Sequence, residues 1–179
     1  MKNILRFLSH ICLTVFVLIA HIAVVYLLPF PFSAVNTIFV FLILFLLIRE
    51  SGVVVWLAFF SHFLLEFYMT TPFGVVLYAS TISLLIVFWL YHRLFTNRSW
   101  YTALALGALT SLLYRMLYVG ILICTSFRTR LPTVRWPSLL QSYFWEFFLT
   151  SICSALGYVL YHWYKQRRRP GRLDLYRQL

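Results

Sequence analysis

The chain has 179 residues, 63% of them hydrophobic and 11% charged, with 18 Phe, 12 Tyr and 6 Trp. A soluble domain is about half apolar and about a quarter charged, so one core of this length cannot hide the excess and lipid must cover it. The same excess excludes disorder, and the formal charge of +11 lies between and beyond the apolar runs, where membrane lipids rather than nucleic acid are the expected partner.

The first apolar run, 8–28, follows Lys2 and Arg6. It is longer than the roughly 7–15 residues of a signal-peptide core and no small-residue cleavage site follows, so it reads as a retained helix. Runs at 34–48 and 53–69 are short, and Arg49-Glu50-Ser51-Gly52 between them supplies charges and a turn-forming glycine, which predicts a tight helical hairpin. Thr70-Thr71-Pro72 reads as a helix start with a hydroxyl cap before proline. Further runs follow at 73–91, 101–125 and 138–163, and a basic tail occupies 165–179. Several of the runs are near the ~20 residues that cross a ~30 Å hydrocarbon layer. All the prolines fall in the proposed loops or tail, as a residue that removes a backbone donor should. The expectation is an all-α integral membrane protein, a compact bundle of six transmembrane helices.

Charge predicts the orientation. With both termini cytoplasmic, Lys2, Arg6, Arg49, Arg93, Arg98 and the tail residues Lys165, Arg167, Arg168, Arg169, Arg172 and Arg177 lie inside, as the positive-inside rule prefers. Arg128, Arg130 and Arg135 fall in an outer loop, where contact with headgroups or a partner accounts for them. Trp56, Trp89, Trp100, Trp136 and Trp163 sit near proposed helix ends, where amphipathic rings favour the interface, and Trp145 is the exception. Cys12, Cys124 and Cys153 have no metal or redox spacing and read as small packing residues.

Ionisable groups within a bilayer are costly and need protein or water around them. Glu66, Arg115 and Glu146 are the conspicuous ones, with His62 one turn before Glu66. Helical spacing puts Ala58, His62, Glu66 and Thr70 on one face. It does the same for Ala103, Gly107, Ser111 and Arg115, and for Ser142, Glu146, Thr150, Ser154 and Gly157. Small residues at such intervals let helices approach closely, so these stripes are expected to face one another. At 1.5 Å per residue the three charges lie ~20, ~21 and ~25 Å from the inner ends of their helices, at similar depth. Arg115 is therefore expected to pair with Glu66, Glu146 or both. Such a cluster serves either as an assembly device or as a substrate, proton or partner site, and spacing leaves both open. His62 and Glu66 alone are half a metal site at best. Neither a nucleophile elbow nor His-Glu-x-x-His occurs, so no catalytic residue, metal or cofactor is expected.

The segment Ala58-Phe-Phe-Ser-His-Phe-Leu-Leu-Glu66-Phe-Tyr-Met-Thr-Thr-Pro-Phe-Gly74-Val-Val-Leu resembles the MreD family of bacterial rod-shape-determining membrane proteins. In that family a glycine-rich helix leads to an acidic residue, a short turn and an apolar-Gly pair. Glu66 stands where the family usually has Asp, and Phe73-Gly74 matches the pair, while Ala58 and His62 replace favoured glycines. The resemblance implies a non-enzymatic membrane scaffold of cell-wall elongation in the bacterial cytoplasmic membrane. The implied partners are an MreC-like bitopic protein, an MreB-like filament and a RodA-transpeptidase complex. The family also shares a layout with the substrate-binding subunits of energy-coupling-factor vitamin transporters, which makes small-molecule binding the alternative. The first helix offers Ala20 and Ala23 but no regular small-residue stripe of the kind a transport coupler would grip. Gly74 and Gly107 are expected to allow close helix approach.

Overall fold

The computed structural model describes residues 2–95, 99–126 and 136–167. Among them are α1 (Lys2–Leu27), α2 (Thr37–Arg49), α3 (Val53–Glu66), α4 (Val75–Leu94), α5 (Trp100–Ser126) and α6 (Trp136–Arg167), with a 3-10 turn at Phe32–Ala34. Arg98, Arg128, Arg130, Arg135, Arg168, Arg169, Arg172 and Arg177 lie outside the described residues.

Among the described residues, four stretches are long and apolar enough to cross a membrane: Leu8–Leu27, Val75–Leu94, Trp100–Thr125 and Leu140–Arg167. Of the six helices expected to be transmembrane, the two whose apolar runs were short fall below this length. α2 and α3 have 13 and 14 residues, about 20 Å at 1.5 Å per residue against a ~30 Å hydrocarbon core.

The short α2 is the centre of the molecule. Ile38, Phe39, Leu42, Ile43, Leu46 and Leu47 are at most 1% exposed, and α2 touches α1, α3, α5 and α6. A helix that is apolar all round is stable only where neighbours or lipid cover it, and here the neighbours cover most of it, leaving Phe41, Phe45 and Ile48 half-buried.

The turn between α2 and α3 forms as expected, with a different residue at its corner. Glu50, not Gly52, takes the left-handed conformation, at φ 49°, while Gly52 sits at an ordinary φ of −60°. A non-glycine residue there needs support. The Glu50 N–H donates to Leu46 O at 2.8 Å, and its Oε1 accepts from the Tyr91 hydroxyl of α4 at 2.8 Å.

α5 and α6 share the most extensive helix contact, and the Gly107 stripe explains it. A Cβ at Gly107 would meet Ser151 Cα at 3.0 Å and Ser154 Oγ at 3.1 Å. Ser111 closes its hydroxyl onto Gly107 O at 3.0 Å, so its polar group is spent within α5. Gly157 also permits close approach, to α2: a Cβ there would come within 2.7 Å of Leu44 Cδ1. The expected packing role of the cysteines fails for two of them, since Cys12 and Cys124 are exposed on the flanks of α1 and α5. Trp56, Trp89, Trp100 and Trp163 are all more than half exposed near helix ends, as interfacial rings should be.

Gly107 and Gly120 lie on the same helix in opposite surroundings, for nothing lies within 4 Å of a Cβ at Gly120. Gly107→Leu is expected to destabilise the bundle by about 1–3 kcal/mol through overpacking, and Gly120→Leu to stay within about 0.5 kcal/mol. Thermal unfolding in detergent checks both; equal losses would refute the close approach.

Candidate functional site

The polar centre is built around the start of α2. Asn36 is the N-cap: its Oδ1 accepts from Phe39 N–H at 3.2 Å, as a short amide before an apolar run can do. Its other groups reach α6. The Asn36 backbone N–H donates to Thr150 Oγ1 at 3.1 Å, and Asn36 Nδ2 donates to Glu146 Oε1 at 3.2 Å.

Glu146 is 3% exposed and its second oxygen is occupied as well. Arg115 of α5 donates from both Nε and Nη2 to Glu146 Oε2, forming the ion pair. The Arg115 guanidinium lies 3.9 Å from the Tyr143 ring centre and within 6 Å of the rings of Tyr114 and Tyr118. Aromatic faces attract a cation, most strongly where water is scarce. One carboxylate therefore joins α5, α6 and the N-terminus of α2, whose partial positive charge favours it there.

Glu66 is the second buried acid, and it belongs to a different arrangement. Its Oε1 accepts from Gly74 N–H at 2.6 Å and Val76 N–H at 3.1 Å. The end of α3 thus caps the start of α4. This corrects two expectations. The cap of α4 is a carboxylate from the preceding helix and not a Thr70 or Thr71 hydroxyl, because α4 begins only at Val75. Gly74 serves by conformation, since its φ of +100° is one that side chains rarely adopt, and not by letting helices approach. Phe63, Phe67 and Phe73 cover the corner, with ring centres 5.3–6.0 Å apart.

Of the two pairings left open for Arg115, the structure makes the one with Glu146. Among the described residues no ion pair or hydrogen bond links Arg115 to Glu66. The stripes on α5 and α6 meet as expected, whereas the stripe on α3 packs His62 against Phe39 of α2 and Tyr114 of α5 and ends with Glu66 on the start of α4. His62 is 1% exposed; its Nδ1 is 2.9 Å from Ala58 O, and its ring packs on Phe39 and Tyr114. His62 Nε2 and Glu66 Oε2 are buried with no hydrogen-bond partner. No group of three or more His, Cys, Asp or Glu among the described residues is placed to hold a metal ion. Lys165 and Arg167 extend α6, with the Arg167 guanidinium 3.7 Å from the Trp163 ring centre.

Asn36 and the three tyrosines were not among the residues singled out by sequence. Asn36 carried a readable signal, an amide immediately before an apolar run. In comparisons with known proteins, no family model, curated protein or solved structure matches the chain.

Two predictions follow from this geometry. Arg115→Leu strands Glu146 and is expected to cost about 3–5 kcal/mol. Adding Glu146→Leu restores part of that loss, whereas adding Glu66→Gln gives simple additivity; a double-mutant cycle on unfolding in detergent reads both, and additivity with Glu146 would break the assignment. At the second acid, Glu66→Gln keeps an oxygen for the two N–H donors and Glu66→Leu removes it. The Leu variant should be the less stable by about 1–3 kcal/mol, and equal stabilities would show that the cap is dispensable.

Proposed function

We propose that the chain is a non-enzymatic scaffold of the bacterial cell-shape and cell-wall elongation machinery, held in the cytoplasmic membrane with both termini inside. Two things support this reading. The first is the resemblance of the segment from Ala58 to Leu77 to the MreD family. The second, which carries the conclusion, is how the intramembrane charges are used. Arg115 and Glu146 bond to each other, Glu146 also accepts from Asn36, and Glu66 bonds to the backbone that opens α4. Groups paired in this way hold helices in register, and although Arg115 also borders an open apolar cleft between α5 and α6, its guanidinium is engaged by Glu146.

In this reading the partners are an MreC-like bitopic protein, an MreB-like filament and a RodA-transpeptidase complex. Lys165 and Arg167, at the end of α6, lie at the cytoplasmic surface on anionic lipid or against a cytoplasmic partner. The exposed apolar flanks of the long helices are where other transmembrane helices pack.

The test is in-cell crosslinking of the intact protein, followed by purification in mild detergent and mass spectrometry of what is retained. Enrichment of an MreC-like protein and cell-wall synthases is the expected result. Recovery of a transporter's membrane coupler with paired ATPases would overturn the scaffold in favour of an energy-coupling-factor subunit.

A further inference from the structure

α1 is the least buried of the four long spans, with 22% of its apolar window covered, and it parts from α3 along one side. The result is an apolar groove of about 690 Å³, walled by Ile11 and Val15 on α1 and by Trp56, Leu57, Phe60 and Leu64 on α3. Ile11, Val15, Trp56 and Phe60 are each at least 40% exposed, so the groove opens on the side that faces lipid. We propose that it holds one acyl chain of an anionic phospholipid whose headgroup is engaged by Arg49.

Length argues for an acyl chain. Along α3 the groove runs from Val53 to Leu64, about 16 Å at 1.5 Å per residue, which is the depth of one leaflet of a ~30 Å hydrocarbon core.

The headgroup follows from what stands at one end. His10, on the groove wall, meets the Phe45 ring of α2 with centroids 6.3 Å apart. Arg49 is one helical turn beyond Phe45 on the same face of α2, at the end of the groove that Val53 opens. It is exposed and has no acidic partner among the described residues. A hydrocarbon tail gains almost nothing by leaving one apolar medium for another. Retention must therefore come from the phosphate on this guanidinium and from the fit of the chain, and selectivity from the headgroup's net negative charge, which the choline ammonium cancels in phosphatidylcholine. The inference requires that the bundle lie in a bilayer and is independent of the scaffold role.

The test is native mass spectrometry of the full-length protein in detergent, titrated with dioleoyl phosphatidylglycerol or dioleoyl phosphatidylcholine. The wild type is expected to hold one phosphatidylglycerol with about a fivefold preference over phosphatidylcholine, the scale of one basic residue at an anionic surface. Val15→Trp, which fills the groove from the α1 rim, should lose the bound lipid. Arg49→Gln should keep a lipid and lose the preference. Ile11→Trp repeats the filling from another position, and unfolding curves identify any variant that has not folded. Equal retention of both lipids by the wild type, or undiminished retention by folded groove-filled variants, would overturn the proposal. So would loss of a co-purifying protein, in place of lipid, on filling the groove.

Discussion

A helix that starts in an apolar medium exposes N–H groups that neither its own turns nor water can satisfy, and this constraint organises the bundle. α2 and α4 both face it. At α2 the answer is Asn36 backed by Thr150 and Glu146 of α6; at α4 it is Glu66 at the end of α3. Each solution draws at least one acceptor from another helix, so capping and tertiary assembly are coupled. An unsatisfied group of this kind costs several kcal/mol in hydrocarbon. That is enough to fix which helix stands beside which.

The constraint also explains how α2 can be short. With Leu42, Ile43 and Leu46 wholly enclosed, its length need not match the bilayer, because its N-terminal end meets protein. Asn36 and Glu146 close one end. At the other, the left-handed Glu50 turns the chain into α3 and its carboxylate accepts from Tyr91 of α4. The four long helices, with one flank of α3, then bear the contact with lipid. Their exposed residues, such as Phe16, Leu85, Met116 and Leu160, are apolar, as that surface requires.

The long spans and the α2–α3 hairpin were legible because length, composition and punctuation are local properties. The faces of α5 and α6 were legible too, since small residues four apart mark a line of close approach whatever stands opposite. Partner choice was not. Glu66 and Arg115 lie at similar depths on their own helices, but spacing gives depth and face without saying which helix lies across from that face. The ring layer of Phe39, His62 and Tyr114 packs where the α3 and α5 stripes would have had to meet. Gly74 was misjudged for a related reason: a positive φ at a helix start and a tight helix crossing both select glycine, and sequence does not distinguish them.

The pair of Arg115 and Glu146 is more than a register device. An isolated buried pair can often be exchanged for apolar residues of similar volume at little cost. Here the exchange would leave the Asn36 amide without the oxygen it donates to, at the very residue that caps the central helix. The requirement therefore runs from backbone to charge. The start of α2 calls for Asn36, Asn36 calls for an acceptor on α6, a carboxylate serves best at a helix N-terminus, and a buried carboxylate calls for a cation. Arginine suits that place because its planar group donates from two nitrogens to Glu146 while lying against Tyr143. Lysine, a compact and strongly hydrated point charge, would satisfy the charge alone.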